Sequence, residues 1–233
     1  MSRADPRRSF LHSMMTLLHS VLRWVFFSLV VRPVILVILG LNVRGREHLP
    51  ISGPAILAAN HNSHLDTMVL MTLVPHRVLH QVRPVAAADY FLRNAILAWF
   101  ATRIIGIIPI ARRRKHPDED PLQSCHEALE RGEILIFFPE GTRGKPEQLG
   151  EFRTGISRLA ERHPQVPVVP IFMHGLGKAL PKGEALLVPF TVDVLIGEPI
   201  CGGTMIGQDQ EFLPRLRQSL ENLAAEIRHP ESD

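Results

Sequence analysis

The chain has 233 residues and a formal net charge of +3 at pH 7, and 45% of its residues are hydrophobic while 21% are charged. This length can bury one substantial core, and the composition is that of a folded globular protein rather than a disordered one. The two cysteines, Cys125 and Cys201, lack the paired spacing of a zinc site, so we expect a reducing compartment and no metal ion.

Residues 1–41 form an apolar N-terminal segment ahead of a predicted α/β domain over residues 42–233. Arg23, Arg32 and Arg44 divide the apolar residues that follow Arg8 into runs of at most about 14 uncharged residues. A simple spanning helix needs about 20. The pattern therefore disfavours a plain transmembrane anchor, and a signal peptide is disfavoured because no small-residue cleavage site follows.

Polar residues recur at helical spacing within this segment. His12, Thr16, His19 and Arg23 follow one another at intervals of four, three and four residues, which predicts a helix lying in the membrane plane. Pro33 begins a second short apolar helix. We interpret the two as a membrane-associated hairpin that dips into one leaflet, with a soluble pair of core helices as the alternative.

Strand-like and helix-like segments alternate from Asn42 onward. Strands are predicted at residues 55–60, 83–88, 104–111, 133–139 and 166–173, with one or two more in 185–199. Helices are predicted at about 63–73, 90–102, 122–129, 155–163 and 211–228. The alternation predicts an α/β fold with a mixed, largely parallel sheet covered by helices on both faces.

Three polar clusters directly follow predicted strands. They are residues 60–66 after the first strand, the run Arg112 to Lys115 after the third, and "EGTRGK" after the fourth. Ligands of open α/β sheets bind outside the carboxyl ends of the strands. We therefore expect the three clusters to share one crevice.

His61 is the candidate general base, since imidazole can take a proton from a hydroxyl near neutral pH. Asp66 would fix the ring tautomer if it bonds to the other nitrogen. The alternative interpretation is structural: Ser63 caps the helix, and Asp66 is an acidic residue of its first turn. No strained Gly-x-Ser-x-Gly elbow supplies a nucleophile, so the attacking hydroxyl would belong to the substrate.

Glu140 and Arg143 form the second candidate cluster, within "FPEGTRG". Gly141 allows a tight turn with exposed backbone N–H groups, and the planar guanidinium of Arg143 suits a phosphate. An ordinary solvated turn is the alternative. The arginine run at 112–115 could be a solvated face, and nucleic acid is the poorer interpretation because no aromatic residues interleave the run.

Several motifs together resemble the glycerolipid acyltransferase family, and in particular 1-acylglycerol-3-phosphate acyltransferases. "NHNSHLD" is similar to the NHxxxxD signature of that family, and "FPEGTRG" is similar to its FPEGTR motif. "GIIPIAR" (106–112), "LGEFRTG" (149–155) and "VPVVPI" (166–171) resemble further stretches. The resemblance covers roughly residues 42–200 in order and spacing.

The resemblance implies roles for individual residues. His61 and Asp66 would be the catalytic pair, Arg112 would contact the acceptor phosphate, and the acceptor site would contain Glu140, Gly141, Thr142 and Arg143. It implies acyl transfer from acyl-CoA or acyl-carrier protein to a lysolipid hydroxyl, giving phosphatidic acid, with no metal and no cofactor beyond the donor. Membrane lipids would be the partners, at the cytoplasmic face of the inner or plasma membrane.

Other functions remain open from the sequence. Ala111, Ala88 and Gly144 stand where family members often carry an acidic residue, a lysine and a serine, so the acceptor could be another lysolipid, such as a lyso-ornithine lipid. A non-enzymatic peripheral lipid-binding protein would explain the arginines but not His61. A thioester hydrolase would need a nucleophile. Acyl-chain length, the choice of donor and oligomeric state are not encoded in any pattern that we recognise.

Overall fold

A mixed β-sheet runs through the computed structural model, which describes residues 6–91, 93–111, 119–144, 148–179, 190–201 and 209–228. In these ranges the sheet has eight strands. They are β1 (Leu39–Arg44), β2 (Ala55–Ala59), β3 (Val82–Ala87), β4 (Ile108–Ile110), β5 (Ile134–Phe137), β6 (Pro167–His174), β7 (Phe190–Ile196) and β8 (Ile200–Cys201).

The strand order is β1-β7-β6-β2-β5-β3-β4, with β8 also paired to β6. The block from β6 to β4 is wholly parallel, whereas β7 and β8 pair with β6 in the antiparallel sense. All residues of β2 and β5 are buried, as central strands covered on both faces must be. The predicted mixed, largely parallel sheet is confirmed.

Helices cover both faces of the sheet. In the described residues they are α1 (Pro6–Phe26), α2 (Arg32–Ile38), α3 (Leu65–Leu73), α4 (Ala88–Phe91), α5 (Ala95–Trp99), α6 (Gln123–Glu130), α7 (Gly155–Arg162), α8 (Leu176–Ala179) and α9 (Asp209–Arg228). The N-terminal helices and α3 pack in one apolar core, and α6, α7 and α9 pack in the other. The sheet lies between these two cores.

The predicted N-terminal hairpin needs a correction in its connection. Both apolar helices are present, but a π-helical turn, Phe27–Val31, joins them without a reversal of direction. The backbone N–H of Arg32 donates to the oxygen of Phe27, and Arg32 keeps helical dihedral angles. The widened turn accommodates Pro33, whose ring would otherwise clash with the preceding turn. One helical run therefore extends from Pro6 to Ile38, which we call the N-terminal helix.

The side of the N-terminal helix that carries His19 and Arg23 faces the protein. Arg23 is 4% exposed and donates a hydrogen bond of 2.6 Å to the carbonyl of Val82, at the start of β3. Phe27, Val31 and Ile35 continue this buried side, whereas Leu17, Leu29 and Val37 are among many exposed apolar residues on the helix. Leu17–Ile38 is long and apolar enough to cross a membrane, although the two arginines argued against this in the sequence.

Two other predicted segments differ from the structure. The helix expected over residues 90–102 is interrupted, because the Asn94 side chain accepts hydrogen bonds from the backbone N–H groups of Ile96 and Leu97 and so starts α5. A π-helical continuation, Phe100–Ile105, ends at Gly106, whose φ of 78° turns the chain into β4. The strand expected over 104–111 is thus limited to Ile108–Ile110. Residues 180–189, which contain part of a predicted strand, lie outside the described residues.

Candidate active site

The first polar cluster begins where β2 ends. Asn60 is buried, and its side chain both donates to the carbonyl of Met173 and accepts from the Met173 backbone N–H, at 2.9 and 2.7 Å. Because Met173 belongs to the neighbouring strand β6, these two bonds fix the chain as it leaves the sheet. The segment between Asn60 and α3 is therefore held at the carboxyl end of the parallel strands, where ligands of such sheets bind.

His61 and Asp66 form the predicted pair. Nδ1 of His61 lies 2.9 Å from Oδ2 of Asp66. A carboxylate can only accept, so Nδ1 carries the proton that it donates, and the lone pair of the neutral ring is then on Nε2. No described residue hydrogen-bonds to Nε2. The imidazole thus presents a basic nitrogen while Asp66 fixes its tautomer.

Asp66 also organises the backbone that leads into α3. Its Oδ2 accepts from the backbone N–H groups of Asn62 and Ser63, at 2.7 and 2.9 Å. The Ser63 hydroxyl accepts a hydrogen bond from the backbone N–H of Leu65. The helix α3 begins at Leu65, whereas the sequence predicted a start at about Ser63. Oδ2 of Asp66 therefore makes both the hydrogen bond to His61 and the hydrogen bonds that stabilise the start of the helix, so the two interpretations of Asp66 are compatible.

The ring of His61 is supported from a second element. It stacks on Phe138, just after β5, with ring centroids 4.1 Å apart and planes 20° from parallel. The side chain of His61 is 21% exposed, whereas that of Asp66 is fully buried. The base therefore reaches the surface of the crevice while its orienting carboxylate is shielded from water.

Glu140 joins the "FPEGTRG" loop to His61. One oxygen accepts from the backbone N–H of His61 and the other from that of Gly150, each at 3.0 Å. Glu140 is buried, and desolvation raises its pKa although these two hydrogen bonds favour the ionised form. Both carboxylate oxygens are engaged by the protein itself, which differs from the expectation that Glu140 contacts the acceptor.

Glycines make room for this carboxylate. A Cβ atom at Gly144 would lie 2.8 Å from Oε2 of Glu140, and one at Gly150 would lie 2.7 Å from the same oxygen. The backbone N–H of Gly144 also donates to the carbonyl of His61. A side chain at position 144 would therefore require the carboxylate of Glu140 to move.

Arg143 brings a positive charge to the "FPEGTRG" loop. It is partly buried, and it forms no ion pair with any residue that the structure describes. Desolvation lowers the pKa of the His64 imidazole, and the positive charge of Arg143 lowers it further. Gly141 has a φ of 68°, which favours glycine and turns the loop so that Gly141 and Thr142 are exposed. A partly buried guanidinium without an anion is suited to a phosphate.

The structure brings His61, Asp66, Glu140 and Arg143 together, as the strand-end argument predicts. Arg112 lies outside the described residues. The sequence did not reveal the supporting roles of Phe138 and Tyr90, whose ring stacks on His64 at 5.7 Å, although aromatic residues at strand ends are a usable signal. Among the described residues no cluster of three or more metal-ligating side chains is found.

Comparison with known proteins identifies the class of this site. The family model described as Acyltransferase matches residues 40–174, a range that contains every described site residue. The chain therefore belongs to the acyltransferase family.

Individual relatives are more specific. The chain is 34% identical over 220 residues to a chloroplast 1-acyl-sn-glycerol-3-phosphate acyltransferase of Arabidopsis thaliana, covering 93% of this chain and 56% of the relative. It is 28% identical to the human 1-acyl-sn-glycerol-3-phosphate acyltransferase alpha over 188 residues, covering 80% and 64%. The chain thus spans about half to two thirds of the length of these curated relatives.

A solved structure shares the fold. The 1-acyl-sn-glycerophosphate acyltransferase PlsC of Thermotoga maritima superposes with a TM-score of 0.68 at 22% identity, covering 83% of this chain and 74% of that one. At this identity the likeness supports the architecture of the sheet and its helices.

Proposed function

We propose that this protein is an O-acyltransferase that moves a fatty acyl group from acyl-CoA or acyl-carrier protein to the free hydroxyl of 1-acylglycerol-3-phosphate, giving phosphatidic acid. The observation that carries the proposal is the 2.9 Å pair of His61 and Asp66, together with Arg143, which forms no ion pair with a described residue. The names of the relatives support the same acceptor.

The proposed chemistry begins at Nε2 of His61. This nitrogen takes the proton of the acceptor hydroxyl as the oxygen attacks the thioester carbonyl, and Asp66 stabilises the imidazolium that forms. When the tetrahedral intermediate collapses, the carbon–sulfur bond breaks and the imidazolium returns its proton to the leaving thiolate. The donor thus loses its acyl group as a free thiol, and the acceptor becomes an ester.

Acceptor binding is assigned to the "FPEGTRG" loop. We propose that Arg143, with the backbone of Gly141 and the side chain of Thr142, binds the acceptor phosphate, and that Arg112 adds a second cation. Glu140 is instead proposed to position His61, since both its oxygens hold backbone N–H groups. The N-terminal helix would keep the enzyme on the cytoplasmic face of the membrane, next to its lipid acceptor.

The deciding experiment measures thiol release from an acyl thioester with and without 1-acylglycerol-3-phosphate. Acceptor-dependent release that disappears in His61→Ala supports the proposal. Acceptor-independent release would indicate a thioester hydrolase, and no release would indicate a lipid-binding protein. A panel that includes lyso-ornithine lipid and other lysophospholipids tests the acceptor, because a better substrate among them would overturn phosphatidic acid as the product.

A further inference from the structure

A second apolar helix is exposed next to the N-terminal helix. The helix Ala95–Ile105, formed by α5 and its π-helical continuation, is apolar except for Thr102 and Arg103 and is too short to cross a membrane. Ile96 is 78% exposed and Trp99 is 49% exposed. Large apolar side chains exposed together on one short helix are unusual in a protein surrounded by water and mark a surface that binds something.

This helix packs side by side with the N-terminal helix. The ring of Trp99 meets that of His19 with centroids 6.4 Å apart, and Phe100 meets Phe26 at 5.2 Å, in edge-to-face contacts. The N-terminal helix exposes apolar residues over the same stretch, including Leu18 and Leu22. The two exposed apolar surfaces therefore lie on neighbouring helices, and a membrane that receives the N-terminal helix would also meet Ile96 and Trp99.

The residues that precede α5 have the chemistry of a lipid–water boundary. The guanidinium of Arg93 lies over the ring of Tyr90 at 4.9 Å, and both side chains are exposed. Tyrosine, tryptophan and arginine are favoured at membrane interfaces, because each combines an apolar body with a polar end. The order along the chain is thus a polar and aromatic boundary at Tyr90 and Arg93, followed by apolar residues from Ile96 to Trp99.

The same boundary reaches the candidate active site. Tyr90 stacks on His64 at 5.7 Å, and His64 is three residues from the catalytic His61. We infer that the helix Ala95–Ile105 is a second membrane contact, which lies in the interface of a phospholipid bilayer and brings the entrance of the active site to the lipid surface. The inference rests on the proposed function only in that a membrane-held acceptor could then enter the site without leaving its leaflet.

Trp99 supplies the test, because the chain has only two tryptophans, Trp24 and Trp99. The full chain carrying Trp24→Phe has Trp99 as its single tryptophan. It is mixed with phosphatidylcholine vesicles that contain phosphatidylglycerol and that carry bromine on the acyl chains. We expect the Trp99 emission to shift to shorter wavelength, to lose most of its intensity to the brominated chains, and to be protected from aqueous iodide.

The matched control places a tryptophan on the opposite side of the sheet. Gln218 is exposed on α9, which packs on the other core. The control chain carries Gln218→Trp, Trp24→Phe and Trp99→Phe. Its single tryptophan should be quenched by iodide with and without vesicles and should not be quenched by the brominated chains. Circular dichroism checks that both variants are folded.

Two outcomes would overturn the inference. One is equal iodide quenching of Trp99 with and without vesicles. The other is shielding of Trp99 that needs no lipid and disappears on dilution, since the helix would then contact a second copy of the chain. The readout is independent of catalysis, so an inactive protein that inserts Trp99 would refute only the proposed function.

Discussion

At the level of single residues, Oδ2 of Asp66 accepts hydrogen bonds from the imidazole of His61 and from two backbone N–H groups that lead into α3. The orientation of the His61 ring and the local backbone structure therefore depend on one buried oxygen. Substitutions that alter its charge and substitutions that alter its position should consequently have different effects.

Asp66→Asn tests the charge. The amide oxygen can still accept from the backbone, but the neutral side chain cannot stabilise an imidazolium, so we expect kcat to fall on the order of 10²-fold or more. The melting temperature should change much less. Ser63→Ala is the control, since it removes the hydroxyl that accepts from Leu65 but keeps the carboxylate of Asp66; it should cost about 1 kcal/mol and leave turnover close to wild type. Near-normal turnover of Asp66→Asn would return Asp66 to the role of a helix cap.

Arg143→Lys tests phosphate recognition. Lysine keeps the charge but lacks the planar fork of arginine, so the acceptor KM should rise while the melting temperature stays the same, because no described ion pair is lost. Steady-state kinetics with varied acceptor, and with varied thioester as the comparison, measures this. An unchanged acceptor KM would move phosphate binding away from Arg143.

Glu140→Gln separates positioning from substrate binding. The amide can accept from only one of the two backbone N–H groups and turns its own NH₂ toward the other, which should cost about 1–3 kcal/mol of stability. We expect a lower kcat with a nearly unchanged acceptor KM. If instead the acceptor KM rises and melting is unaffected, Glu140 contacts the substrate directly.

At the level of elements, α6 and the end of α7 are joined by two histidines. Nδ1 of the buried His126 lies 2.9 Å from Nε2 of His163, and Nε2 of His126 lies 3.3 Å from Asp120. A hydrogen bond between two imidazoles requires at least one of them to be neutral. Desolvation lowers the pKa of both rings below the ordinary value of 6.5, with Arg162 adding to the effect and the carboxylates of Asp120 and Glu130 opposing it.

This pair predicts a loss of stability in acid. The unfolded chain binds more protons than the folded one below the ordinary histidine pKa, so stability is fully present above about pH 6.5 and falls as the pH decreases through that value. Thermal melting of the wild type between pH 8 and pH 5 should show this fall, and His163→Gln should show a weaker one. An identical pH dependence in the variant would exclude the pair as its cause.

The sequence predicted best those strands whose residues are all buried. Apolar runs such as "AILAA" and "ILIF" are buried on both faces of a central strand, so their composition alone identifies them. The break at Asn94 was not predicted, because a side-chain cap interrupts an otherwise continuous apolar pattern. The shortening of β4 was not predicted either, because the left-handed conformation of Gly106 ends the preceding helix within an apolar run. The support of His61 by Phe138 and Glu140 was also missed, since it joins residues far apart in the chain.

At the level of the whole molecule, the N-terminal helix is part of the core and also carries an exposed apolar surface. Phe27, Val31 and Ile35 belong to the same buried cluster as α3. The division into residues 1–41 and 42–233 stays a prediction, and a deletion of residues 1–41 would open this core as well as remove the apolar surface. Substitution of exposed residues is therefore the cleaner test of membrane binding.

A chain with Leu17, Leu29 and Val37 all changed to Gln should bind vesicles more weakly in flotation while melting like the wild type, because these side chains are 66%, 69% and 84% exposed. Phe27→Ala is the opposite control, since it should cost about 3–5 kcal/mol of stability as a buried aromatic. Unchanged flotation of the triple variant would exclude this surface as the membrane contact.

The hydrogen bond from Arg23 to Val82 has a consequence for synthesis. Its two partners are 59 residues apart, and a chain grows from its N-terminus at about 5–20 residues per second. For several seconds the ribosome has therefore produced the arginine but not the carbonyl that receives it, while the apolar helix around Arg23 has already emerged. The N-terminal helix is thus synthesised before β3 exists, and the sheet is assembled afterwards against it.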